Sequence, residues 1–93
     1  YDGTGGMAGF AMVLRSELVK AWSFDEGYKW WYGDDDLVNW VNYDTPYQTF
    51  ISHKAHCIHA DSVTIKTNKP ENFEQLVDED KKRFIMKWGE KYA

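Results

Sequence analysis

ENFEQLVDEDKKRFIMKWG, residues 71–89, carries the clearest structural signal in the chain. Phe73, Leu76, Val77, Phe84, Ile85 and Trp88, continued by Tyr92, recur at helical spacing, with Asp, Glu and Lys on the other side. The pattern predicts a helix from about Glu71 to Trp88, with Gly89 near its end, where a residue without a Cβ suits helix termination. Asn68-Lys69-Pro70 is a break ahead of it.

Working back from that helix, Leu37, Val38 and Val41 lie on one face at i, i+1 and i+4. They predict a helix over about 34–43 that stops before Pro46. Residues 47–66 contain two short extended runs, with Ile58 and Val63–Ile65 as the strand residues. SFDEGYKWWYG (23–33) has no period, holds two glycines and reads as a loop. MAGFAMVLR (7–15) is short, apolar and preceded by glycines, which favours a buried strand over a helix. Ser16 is placed to cap a short helix, ELVKAW. The expected fold class is therefore α/β, or α+β for the piece alone: short strands with a long C-terminal helix.

Ninety-three residues hold one small domain. A chain of this size hides only about 60–68 % of its unfolded surface. Yet 17 % of the residues are aromatic, among them five Trp and six Tyr. Such a content implies a dense core or apolar surface intended for a partner. The net charge of −4, without clustered Lys and Arg, argues against a nucleic-acid binder. The single Cys57 excludes an internal disulfide and suits a reducing compartment. No run of about 18 apolar residues occurs, so no transmembrane segment is expected. The abrupt start at Tyr1 reads as a piece cut from a longer chain.

WWYGDDDL, residues 30–37, carries the chemistry. One Asp at a helix start is ordinary, because its oxygen accepts a backbone N–H and its charge suits the helix dipole. Three exceed what a helix start stabilises, so the remainder face water, a cation or a substrate. Gly33 allows a sharp turn and close approach of a ligand. Trp30, Trp31 and Tyr32 bring flat apolar faces to the same rim. Carboxylates beside aromatic platforms suit a carbohydrate, whose hydroxyls donate to the carboxylates while its C–H faces lie on the rings. The plain alternative is a solvated acidic helix cap with tryptophans in the core.

GGMAGFAMVLRSELVKAWSFDEGYKWWYGDDDLVNWV resembles the C-terminal half of GT-A-fold glycosyltransferases, most closely family 2 and the galactosyltransferase C-terminal region. The shared order is Gly9-Phe10, Arg15, Phe24-Asp25-Glu26, then Gly33-Asp34-Asp35-Asp36-Leu37. HADSVT (59–64) and DKKRFIMKWG (80–89) resemble the family's later strand and ending. Gly33 stands where the family usually has Glu, and Asn39-Trp40 where it often has Arg. The resemblance implies an inverting transfer of a sugar from a nucleotide-diphosphate donor to an acceptor hydroxyl. It makes Asp34 the catalytic base, with Asp35 and Asp36 binding acceptor hydroxyls or fixing the helix start. Trp30, Trp31, Tyr32 and Gly33 would form the acceptor platform. His59 would be a metal or diphosphate contact. The nucleotide-binding half, with the motif that holds Mn²⁺ or Mg²⁺, is expected outside these residues, and location is expected to be cytoplasmic, with any membrane association supplied by other regions.

His53, His56 and His59 are spaced by three, which would make a zinc face on a helix but splits them across a strand. Asp25 and Glu26 are expected to fix the loop, Trp40, Trp88 and Cys57 to lie in the core, and Arg15 to pair locally. The rival function is a non-catalytic carbohydrate-binding or interaction module, which needs the aromatic rim but no base. A metal-dependent phosphoryl-transfer enzyme is a further rival, disfavoured because consecutive aspartates fan out around a helix start. Apolar surface along residues 7–14 is expected to drive self-association into a homodimer.

Overall fold

The computed structural model describes residue 1, residues 11–58 and residues 69–92. Among these residues the chain is helical: α1 spans Ser16–Ala21, α2 Gly33–Asp44 and α3 Phe73–Trp88, followed by a 3₁₀ turn at Glu90–Tyr92. The expected helices at 34–43 and 71–88 are therefore present with small shifts of their ends. Ser16 is the first residue of α1 rather than its cap, and Arg15 precedes it without a capping side-chain bond.

The expectation of an α/β or α+β fold with short strands is overturned. No strand forms among the described residues. Residues 11–15 and Ile58 have no strand partner among the described residues, and Val13 and Ile58 stand fully exposed. An extended run becomes a strand only when another segment completes its ladder of hydrogen bonds. The expected strand residues 7–10 and 63–65 lie outside the described residues.

The core is aromatic. Tyr28, Phe84 and Tyr92 are buried together, with Tyr32 and Trp88 packed against them. Tyr32 stacks on Phe84 at 5.0 Å between ring centroids. Tyr43 of α2 lies 6.4 Å from Trp88 and 5.6 Å from Tyr92. Trp40 meets Trp22, just beyond α1, at 5.0 Å. The helices thus meet through long side chains, and the loop of residues 22–32 passes over α3. Asn42 of α2 accepts the Thr49 N–H at 2.9 Å and so ties down the chain after the helix. Gly89 ends α3 at φ 111 and ψ 154, a backbone region open to glycine.

Candidate functional site

The loop that bears the tryptophans is held by two carboxylates, one from the loop itself and one from α3. Asp25 folds back on its own loop, accepting the Gly27 N–H at 2.9 Å. It also takes two bonds from Arg83 of α3, at 3.0 and 2.8 Å. The Arg83 guanidinium, then the Gly27 amide, hold the Asp25 carboxyl below its ordinary value of 3.8. Arg83 is correspondingly raised. A Cβ on Gly27 would collide with the Arg83 side chain, so the absence of a side chain there makes room for the pair. Asp25 therefore fixes the loop, as expected from the sequence.

Asp80 is 1 % exposed although it is charged. Its Oδ1 accepts the Lys29 N–H at 2.9 Å, and its Oδ2 accepts the Trp30 and Trp31 N–H groups at 2.7 and 2.8 Å. Three consecutive amides thus converge on one carboxylate, a concave array that suits an anion. Sequence reasoning missed Asp80. The signal was its position: it falls three residues after Val77 and four before Phe84, in step with the apolar stripe of α3.

The three aspartates of α2 have different surroundings. Asp36 is fully buried. Trp88 donates its indole N–H to Oδ1 at 2.7 Å, and Lys87 Nζ lies 2.9 Å from Oδ1 and 3.1 Å from Oδ2. Asp36 is closed to an acceptor and acts instead as a strut between α2 and the end of α3. Asp34 and Asp35 are half-buried in the first turn. Asp34 Oδ1 accepts the Asp35 N–H at 3.0 Å.

Gly33 and Tyr32 exchange the roles foreseen for them. The sharp turn is made by Tyr32, at φ 69, and not by Gly33. The space beside Gly33 is filled by the Phe24 ring, 2.7–2.8 Å from where a Cβ would stand, so that approach is already occupied. Tyr32 is half-buried on Phe84 and is not a free platform. Burial, helped by Asp35, raises its phenol. A left-handed tyrosine costs on the order of 1–3 kcal/mol. Its ring contact with Phe84 helps to offset that.

Trp30 and Trp31 do reach the surface, 37 % and 42 % exposed. Both set an edge against Phe73 at the start of α3, at 5.8 and 6.1 Å. Lys69 lies over the Phe73 ring at 5.0 Å. The aromatic rim is thus Trp30, Trp31 and Phe73, the last of which the sequence placed only in the core. Trp40 and Trp88 are half-buried against aromatic neighbours, in keeping with a structural role.

Among the described residues, the buried Tyr28 hydroxyl and both ends of the buried Asn39 side-chain amide have no partner. Burial, reinforced by Asp36 and Asp25, pushes the Tyr28 phenol far above its usual range, so it stays neutral. A shallow groove on the outer side of α3 is lined by Asp25, Glu79, Lys82, Arg83, Met86 and Lys87. Its cations are already engaged: Lys82 with Asp78, Arg83 with Asp25 and Lys87 with Asp36.

Arg15 pairs with Glu17 at 3.5 Å and lies over the Tyr47 ring. Cys57 is exposed rather than in the core, because residues 50–58 carry no packed face. His59 lies outside the described residues, and His53 and His56 are exposed. No group of three His, Cys, Asp or Glu is gathered among the described residues to hold a metal ion. Asp36, turned to Lys87 and Trp88, cannot join Asp34 and Asp35 on one ion, which counts against the rival metal-dependent phosphoryl transfer; the cation that the resemblance implies was expected outside these residues. No helix among the described residues is long and apolar enough to cross a membrane. Comparisons of the chain with family models, with curated proteins and with solved structures gave no match.

Proposed function

We propose that this chain carries the acceptor side of a nucleotide-sugar glycosyltransferase, with Asp34 as the base and Trp30 and Trp31 as the sugar platform. The observation that carries it is the unequal fate of the carboxylates around the loop. Asp80 and Asp36 are sealed and spend their bonding capacity on amides, an indole and a lysine. Asp34 remains half-buried at the mouth of α2, with only a neighbouring amide on one oxygen among the described residues. The exposed tryptophans lie three and four residues before it in the chain. Apolar rings beside an accessible carboxylate recognise a sugar through its C–H face and its hydroxyls together.

In this reading the acceptor lies on Trp30 and Trp31, and Asp34 takes the proton from one hydroxyl as its oxygen attacks the anomeric carbon. The C–O bond to the nucleoside diphosphate breaks, and the diphosphate leaves with the bonding pair. Donor binding and neutralisation of that leaving group belong to other sequence of the enzyme. A general base contributes about 10²–10⁴-fold to rate. Asp34→Asn in the complete enzyme, followed by nucleoside-diphosphate release, should therefore lose turnover in that range while acceptor affinity is kept. Undiminished turnover would remove Asp34 from the chemistry.

The exposed rings favour a second reading on their own, a carbohydrate-binding module without catalysis. Both readings require Trp30→Ala with Trp31→Ala to abolish retention on a neutral-oligosaccharide array. In the module Asp34→Asn changes nothing else, whereas in the transferase it stops the reaction.

A further inference from the structure

We propose that Asp80 is the positioning residue of the aromatic rim, a role that rests on the acceptor-side reading above. Its carboxylate is 1 % exposed and has no cation beside it among the described residues; its partners are the amides of Lys29, Trp30 and Trp31. Among the described residues, amide dipoles offset the cost of the buried anion. Lys29 engages one oxygen, and the two tryptophan amides share the other. That division fixes the successive peptide planes from which both indoles project.

The same helix holds the rings themselves. Phe73 meets the edges of Trp30 and Trp31, and it precedes Asp80 by seven residues, two turns on one face. The backbone of the rim is thus set by Asp80 and its side chains by Phe73. Neither contact touches Asp34. Loosening Asp80 consequently changes how the acceptor is held and leaves the base in place.

The decisive variant is Asp80→Asn, which keeps the volume. Its oxygen can still serve the two tryptophan amides, but its NH₂ then faces the Lys29 N–H, donor against donor. In ¹⁵N spectra of the chain, the amides of Lys29, Trp30 and Trp31 should move together and exchange about tenfold faster or more. The Trp88 indole signal, held by Asp36, should stay. Cross-peaks from Trp30 and Trp31 to Phe73 should weaken. Uniform acceleration of exchange through the whole chain, with the three amides unshifted, would overturn the proposal. If Asp80→Asn does not fold, the wild-type chain decides: through-bond couplings from the three amide nitrogens to the Asp80 carboxyl carbon are expected, and their absence overturns the role.

Binding of cellohexaose, chitohexaose and maltohexaose supplies the second arm. Asp80→Asn should weaken whichever probe the wild type binds by about tenfold. Unchanged affinity overturns the positioning role and leaves the rim intact as a sugar site. No binding of any probe by the wild type counts against the acceptor reading, while the amide and ring signals still decide whether Asp80 sets the rim.

Discussion

Three adjacent aspartates at the start of α2 should contribute very unequally to stability, and asparagine at each position measures the difference without a change of volume. In Asp36→Asn the new oxygen can keep the Trp88 indole N–H, now as a neutral bond of about half the strength. The NH₂ group then replaces Oδ2, so the charge-assisted bond from Lys87 to that oxygen is lost and the ammonium keeps only the neutral oxygen it shares with the indole. Such a bond is worth about 1.5–3 kcal/mol. Lys87 is 42 % exposed and regains water, which favours the lower end of that range. Together the two changes cost about 2–3 kcal/mol. Asp34 gains about 0.3–1 kcal/mol from the helix dipole and loses part of it to repulsion by its neighbours. Asp34→Asn should therefore fall within about 0.5 kcal/mol of wild type. The assay is equilibrium unfolding in urea, followed by tryptophan emission and far-ultraviolet circular dichroism. With a slope of about 1 kcal/mol/M for so small a chain, the midpoint should drop by about 2–3 M for Asp36→Asn and by under about 0.5 M for Asp34→Asn. Equal drops would refute the division of the triplet into one buried strut and a half-buried carboxylate at the helix start.

Tyr28→Phe removes a buried hydroxyl that has no partner among the described residues, so the variant should melt no lower than wild type and be up to about 1 kcal/mol more stable; a lower melting temperature would mean that the hydroxyl is bonded. Gly89→Ala meets open space but must adopt φ 111, and should cost about 1–3 kcal/mol by thermal melting, with no effect on the tryptophan rim. The Asp25 carboxyl is held below its ordinary 3.8, so the stability it adds is full above that value and lost as pH falls through the lower folded value. The gap in melting temperature between wild type and Asp25→Asn should accordingly be constant above about pH 5 and close below about pH 4. Val13, Phe50, Ile51 and Ile58 are exposed apolar residues, and sedimentation at rising concentration should show self-association that Val13→Asp with Ile58→Asp reduces.

The helices were legible because burial of one face is written in the spacing of a sequence. Leu76, Val77, Phe84 and Trp88 announce α3, and Leu37, Val38 and Val41 announce α2. Among the described residues, the strand reading failed at 11–15 and Ile58 for a complementary reason. MAGFAMVLR is apolar and short, but strand formation depends on a second segment far away in the chain, and nothing local reveals whether one is paired to it. Fully exposed Val13 shows how weakly apolar character alone constrains such a run. Tyr32 is a further case: a turn of positive φ was credited to the glycine next to it, whereas packing on Phe84 holds a tyrosine there.

The site was half legible, and the missing half is explained by helical geometry. Residue type drew notice to DDD as a unit, yet successive helical residues diverge by about 100°. Asp36 shares its face with Trp40 and Tyr43 and turns to Trp88, while its two neighbours remain at the end of the helix. Asp80 sits within DEDKKR, which looks like a solvated charged face, but it is the carboxylate in that run in phase with Val77 and Phe84. A carboxylate in register with an apolar stripe has to find donors inside the fold, and in a loop-rich protein those donors are backbone amides with no helix or sheet to satisfy them. The loop of residues 29–31 supplies three. The phase of a carboxylate relative to its helix therefore separates Asp36 and Asp80, bound inside the fold, from Asp34 at the start of α2.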